Sequence, residues 1–224
     1  MKTLSTPILL LALLLLISYS CKSDKEDIQT EQKENYTKIF GKTMGTSYSL
    51  VFKKNESVSK STIDSILVQL NLSLSTYIDS STISKINNAP TFGEEVQILV
   101  SGNTVTNYKV ALPLDQHFVD NYKMASEIYY KTNGDFDPTV MPLVNYWGFG
   151  TTGKIAVTSI DSQKIKELRN LVGFDKANFN STSTSMTILM PSGMSLDFSA
   201  LAKGYAVDYL SQFLRANNLS LIHI

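Results

Sequence analysis

Asp135 and Asp137 bracket an aromatic ring at Phe136 within Thr132–Gly150, which reads TNGDFDPTVMPLVNYWGFG. Pro138 stiffens the exit of this stretch and forces extended geometry on Asp137. Tyr146–Gly150 alternates rings with glycines, so backbone can approach closely wherever a ring is not packed. The stretch also holds the only Trp of the chain, at position 147. Two carboxylates, exposed amides and a dense aromatic group would make a wall for a planar, phosphorylated ligand. The other reading is a structured loop whose Trp and Phe plug a core. Aromatic side chains are usually core, and on these residues alone that reading prevails.

A second group lies where Met194–Phe198 (MSLDF) runs into Ser199–Asn217 (SALAKGYAVDYLSQFLRAN). A strand, the acidic Asp197, a Ser cap and a helix opening with small residues would aim helix amides at an anion. Lys203 within the first turn adds a positive charge. Phosphate is the ligand this physics suits. Strand-to-helix junctions with a Ser cap are also common where no ligand binds.

These groups need elements to position them. Gly41–Phe52 reads as a strand with Tyr48, Leu50 and Phe52 on one face. Met44-Gly45-Thr46 at its start offers a Gly amide and a hydroxyl, or makes a simple turn. The spacing of Ile63, Ile66, Leu67 and Leu70 predicts a helix over Ser59–Leu74, capped by Ser59 or Ser61. Ser75–Asn88 reads as a loop and a short helix, and its Tyr77 either stacks on a ligand or lids its own core. Thr91–Val110 shows little order beyond an apolar run at Val96–Val100.

Asp115–Lys131 is a second helix, with Phe118, Tyr122, Ala125 and Tyr129 on one stripe, and it ends at a left-handed Gly134. His117 in its first turn reads as a surface or cap residue. Ser162–Val172 is a third helix. Ser185–Met190 and Met194–Phe198 are expected to pair as strands around a turn at Pro191-Ser192-Gly193. Strands and helices mix without a regular βαβ rhythm, so the fold class is α+β, a single mixed α/β domain.

Composition narrows the function. Lys plus Arg number 20 and Asp plus Glu 20, with a formal net charge of zero, so nothing drives binding to nucleic acid. Met1–Cys21 reads as a targeting segment: Lys2, then an apolar run over Pro7–Ile17 that is too short to span a membrane, then small or polar residues before the only Cys, Cys21. A Cys in that place resembles a bacterial lipoprotein signal, which would make Cys21 the lipidated residue and the protein an exported one held at a membrane. An ordinary signal peptide with an incidental Cys is the alternative. Lys22–Asn35 is charged and polar and reads as a flexible tether, leaving 36–224 as the folded domain.

Four segments in order carry a family resemblance. They are Met44-Gly45-Thr46 with Tyr48; Ser75-Thr76-Tyr77; Gly134–Thr139 running on to Trp147-Gly148-Phe149-Gly150; and Leu196-Asp197-Phe198 leading to Ala202–Asp208. Together they resemble the ApbE family of FAD:protein FMN transferases, which are often exported lipoproteins. The resemblance implies FAD as substrate and Mg²⁺ as the metal. It also implies transfer of FMN, through a phosphoester, to a Ser or Thr hydroxyl of an exported or membrane redox protein, with release of AMP. Carried over by position, Met44, Tyr77, Asp135, Phe136, Asp137, Asp197 and Lys203 would contact FAD, and the Ala200 carbonyl would reach the metal. Family members continue beyond this helix with an acidic and Thr/Ser pair that completes the metal site. The chain therefore reads as incomplete at its C-terminus and is expected to lack normal transferase activity as it stands. The general base is open. A flavin-binding lipoprotein without chemistry is the alternative, and that distant pair would discriminate the two.

Overall fold

Tyr36–Thr43 (β1) and Thr46–Lys53 (β2) form an antiparallel hairpin, not the single strand predicted over Gly41–Phe52. Met44 and Gly45 make its turn with φ of 49° and 71°. A positive pair of this kind follows the twist of the flanking strands. Leu50 and Phe52 are buried on one face, as their alternation requires. This computed structural model describes residues 36–53, 58–151, 159–219 and 221–223. The signal and tether readings of Met1–Asn35 lie outside the described residues.

Helix α1 spans Lys60–Leu74, and Ser59 caps it by accepting from the Thr62 N–H at 3.2 Å. Ile63, Leu67 and Leu70 are buried on its inner face. Short helices α2 (Thr82–Asn87) and α3 (Ala89–Phe92) follow. Strands β3 (Glu94–Val100) and β4 (Asn103–Pro113) then form a second hairpin across the predicted region of little order. Its turn residues Ser101 and Gly102 again have positive φ, 50° and 83°. The strands were hidden because β4 fully buries only two residues, Asn107 and Val110, and one of them is polar.

Helix α4 covers Gln116–Lys131, with the Asp115 carboxylate accepting from the His117 and Phe118 amides. It ends as predicted near Gly134, whose φ is 86°. The Gly134 N–H donates to the Tyr129 carbonyl and the Asn133 N–H to that of Tyr130, so Asn133 shares the left-handed cap. Helix α5 (Met141–Tyr146) and helix α6 (Ser162–Arg169) come next; α6 is shorter than predicted and buries none of its residues fully. A 3₁₀ turn at Phe174–Lys176, strands β5 (Asn178–Ser181) and β6 (Ser185–Pro191), helix α7 (Ser199–Ala216) and strand β7 (Leu221–His223) complete the described chain.

Two antiparallel sheets result, in the orders β1-β2-β7 and β3-β4-β6-β5. The predicted pairing of Met194–Phe198 with Ser185–Met190 does not form. Both edges of β6 are already taken, by β4 and β5. Met194, Leu196 and Phe198 do alternate inward, but their backbone is satisfied elsewhere. The Asn87 amide donates to the Leu196 carbonyl at 2.8 Å and its oxygen accepts the Leu196 N–H at 2.7 Å. The Asp197 N–H donates to the Pro138 carbonyl at 2.7 Å. One side chain thus stands in for a neighbouring strand.

Helix α7 lies between two cores. Ala202 belongs to the core under the four-stranded sheet, with Phe118, Ile188, Leu196 and Phe198. Ala206, Leu210 and Leu214 belong to the core between α1 and the β1–β2 hairpin. His117 is not a surface or cap residue: its Nδ1 lies 3.0 Å from the Tyr205 hydroxyl, and its ring meets Tyr209 edge-on at 4.8 Å. The aromatic stretch departs from the core reading too. Phe136 packs against the first core, but Trp147 is exposed and Phe149 is 80% exposed.

Two stability measurements follow from this packing. Asn87→Ala removes both partners of the Leu196 backbone, and chemical denaturation should show a loss of about 1–3 kcal/mol; a variant as stable as the parent would contradict the pairing. Tyr122 is buried and stacks on Phe179 at 4.4 Å, and burial, with Tyr130 adding, pushes its hydroxyl from 10.0 up to about 12. The folded state prefers the neutral phenol, so this contribution is complete below about pH 10 and is lost as pH rises through about 12. The stability of the parent should therefore fall relative to Tyr122→Phe across that window, and parallel curves would refute it.

Candidate functional site

A cavity of about 310 Å³ opens where three elements meet. The β1–β2 turn supplies Met44 and Gly45. The end of α1 and the loop after it supply Asn71, Leu74, Ser75, Thr76 and Tyr77. The start of α7 supplies Ser199, Ala202 and Lys203. The volume is at the lower end of the range for small-molecule sites.

Local hydrogen bonds hold each wall. The Asn71 amide donates to Thr43 Oγ1 at 2.9 Å and to the Leu67 carbonyl at 2.8 Å, tying the turn to α1. The Ser75 carbonyl accepts from Ser81 Oγ at 2.7 Å, and Ser75 Oγ accepts from the Tyr77 N–H at 3.3 Å. The loop is therefore pinned at its base while the Tyr77 ring stands 69% exposed, free to stack. Lys203 is exposed, and among the described residues no carboxylate lies within ion-pair distance of it.

Asp197 lies just outside this wall. Its Oδ1 accepts from the Ser199 N–H at 2.8 Å, a turn just before the helix; the N-cap position of α7 is Phe198, without a side-chain cap bond, so the predicted Ser cap does not form. A short carboxylate reaches the amide two residues on more readily than a hydroxyl does. One amide of the helix start is thereby already engaged. Asp137 is not among the cavity-lining residues and is held by its own loop: Oδ1 accepts from the Thr139 N–H at 2.8 Å and Thr139 Oγ1 at 2.6 Å, and Oδ2 from the Phe174 N–H at 3.2 Å. Asp135 is exposed, and Phe136 is half-buried against the core.

Of the residues singled out in the sequence, Met44, Tyr77 and Lys203 are thus brought to one cavity. Asp137 and Asp197 are joined to its edge through the Pro138 carbonyl, while Phe136 turns toward the core. Sequence reasoning passed over Asn71 and Asn87, and it quoted Thr76 and Thr139 within the family segments without giving either a role. Asn71 had a readable signal, an amide following the apolar helix position Leu70, and Thr139 another, a hydroxyl two residues after an Asp.

The resemblance implies Mg²⁺ as the metal. Mg²⁺ prefers hard oxygen ligands in near-octahedral geometry. Among the described residues no group of three or more His, Cys, Asp and Glu side chains is placed to hold a metal ion. Ala200 offers one carbonyl, inside α7. These residues alone do not fit the ion.

Comparison with known proteins agrees with this architecture. The chain is 27% identical over 194 residues to the FAD:protein FMN transferase of Vibrio cholerae, covering 84% of this chain and 52% of the relative. It is 29% identical over 198 residues to that of Haemophilus influenzae, covering 84% and 51%. The chain spans about half the length of the curated relatives it matches. The solved structure of the flavin transferase ApbE from Vibrio cholerae has the same fold over 82% of this chain and 54% of that one, with a TM-score of 0.64 at 23% identity. The ApbE protein of Thermotoga maritima gives 0.60 at 24% identity, over 83% and 56%. A family model described as the ApbE family matches residues 44–224, from the turn of the first hairpin onward, and the chain belongs to that family.

Proposed function

We propose that the protein transfers the FMN moiety of FAD to a Ser or Thr hydroxyl of a target protein, and that the cavity at the start of α7 holds the FAD. The observation that carries this reading is the convergence of an exposed ring, a thioether and a cation, Tyr77, Met44 and Lys203, on one cavity. Tyr77 offers a face for one of the two ring systems of FAD. Lys203 supplies a point charge for the pyrophosphate. The relatives named as FAD:protein FMN transferases support the same reading.

In the transfer, the acceptor hydroxyl oxygen bonds to the phosphorus of the FMN half. The bond from that phosphorus to the bridging oxygen breaks, AMP leaves with the electron pair, and the hydroxyl proton passes to a base. Such transfers depend mainly on positioning and charge neutralisation. Lys203 would neutralise phosphate charge, and the exposed Asp135 and the edge residue Asp197 would accept from hydroxyl or amino groups of the nucleotide. Mg²⁺ is the metal that the family resemblance implies, and no step here is assigned to it.

The acceptor is proposed to be an exported or membrane redox protein, with this protein exported and held at a membrane by a lipid on Cys21. The support for export and anchoring is the apolar run over Pro7–Ile17, followed after three residues by the only Cys. Cys21→Ser should move the protein from the membrane to the soluble fraction of its host, and retention at the membrane would contradict lipid anchoring.

The function is tested by titrating FAD against the full chain and following AMP release, to water and to an added Ser/Thr-bearing acceptor protein, with and without Mg²⁺. Saturable FAD binding is expected, and Lys203→Ala should weaken it roughly 10- to 100-fold, the loss of a hydrogen bond to a charged group worth about 1.5–3 kcal/mol. A folded chain that ignores FAD would overturn the assignment. Binding without AMP under any condition would favour a flavin binder without transferase chemistry.

A further inference from the structure

We propose that Thr139 is a positioning residue of this nucleotide site, acting through Asp137 and Pro138 on the start of α7; the proposal rests on the FAD reading above. Thr139 is fully buried, and its hydroxyl has a partner on each side. Oγ1 donates to Asp137 Oδ1 at 2.6 Å and accepts from the Gly173 N–H at 2.8 Å. The Asp137 carboxylate takes the Thr139 N–H on the same oxygen and the Phe174 N–H on the other. Each oxygen therefore has a protein donor, two on Oδ1 and one on Oδ2. The geometry gives the Asp137 carboxylate the role of holding its own loop against Gly173–Phe174.

What this clamp presents is the carbonyl of Pro138, the residue between its two partners. That carbonyl accepts the Asp197 N–H at 2.7 Å, and the Asp197 carboxylate in turn accepts from the N–H of Ser199, the first residue of α7, at 2.8 Å. Ser199, Ala202 and Lys203 then line the cavity. Four links thus run from a buried hydroxyl to the cation that would meet the pyrophosphate. A hydroxyl can donate to one side and accept from the other through a single atom. Valine has a similar shape and can do neither, while serine can do both.

The variants Thr139→Val and Thr139→Ser separate positioning from bulk stability. In Thr139→Val, amide hydrogen exchange of the unliganded chain should speed up at Gly173, Asp197 and Ser199, with Leu50 and Phe52 in β2 unchanged. FAD affinity, measured well below the melting temperature of each variant, should fall about tenfold, equivalent to about 1.4 kcal/mol. Thr139→Ser should restore both the exchange pattern and the affinity. If Thr139→Val does not fold, Asp137→Asn carries the test, with faster exchange at Phe174 and Asp197 and a similar loss of affinity expected. Unchanged exchange at Asp197 and Ser199, or exchange that rises equally in β2, would overturn the positioning role. A parent that fails to bind FAD would instead overturn the functional reading, and the exchange data on the unliganded chain would still decide the clamp.

Discussion

Ala202 and Ala206, one turn apart on α7, let that helix pack closely against two different cores, and the site depends on this fit. Ala202 meets the core of the four-stranded sheet, and Ala206 meets the core between α1 and the first hairpin. Tyr205 between them packs against both. Its hydroxyl donates to Asp120 at 3.1 Å and lies 3.0 Å from His117 Nδ1, both on α4. Burial, with the Asp120 carboxylate adding, holds that phenol protonated far above its ordinary range, so it remains a donor at any physiological pH. The start of α7 is therefore oriented from three sides within a turn of Lys203. Larger side chains at either alanine would overpack a filled space.

The cavity follows from that arrangement. The helix start, the β1–β2 turn and the loop after α1 approach without filling the gap between them. Each is stiffened by its own bonds: Asn71 under the turn, Ser81 under the loop, Asp197 at the helix start. Conformational entropy is thus lost on folding and not on binding, the condition under which modest contacts give useful affinity. The reactive-looking acidic stretch contributes differently. Asp137 spends its oxygens on Thr139 and Phe174, and the resulting loop steadies Asp197 from outside the cavity.

Much of this was legible from the chain. The helices α1 and α4 were readable because their apolar residues keep helical spacing and Ser59 and Asp115 provide side-chain caps. The left-handed Gly134 was readable for its place after an amphipathic run. The hairpin β3–β4 was not, since its hydrophobic alternation is weak and Leu99 is 77% exposed on an edge strand. Its turn did carry a signal, a Gly in second place after Ser101, and Met44-Gly45 repeats it. Met194–Phe198 misled because alternating burial is a property of side chains, whereas strand pairing is a property of free neighbouring edges, and β6 had none left. Of the site, Met44, Tyr77 and Lys203 were recognised by family resemblance. Their convergence depends on contacts between segments more than 25 residues apart, such as Asn71 with Thr43, which no local pattern encodes.

The most direct test of the account is amide hydrogen exchange of the full chain with and without saturating FAD. Binding in the proposed cavity predicts added protection at Met44–Thr46, Ser75–Ile78 and Ser199–Lys203, with little change in β3 or α6. Protection concentrated elsewhere, such as along Ser162–Arg169, with those three segments unaffected, would contradict it.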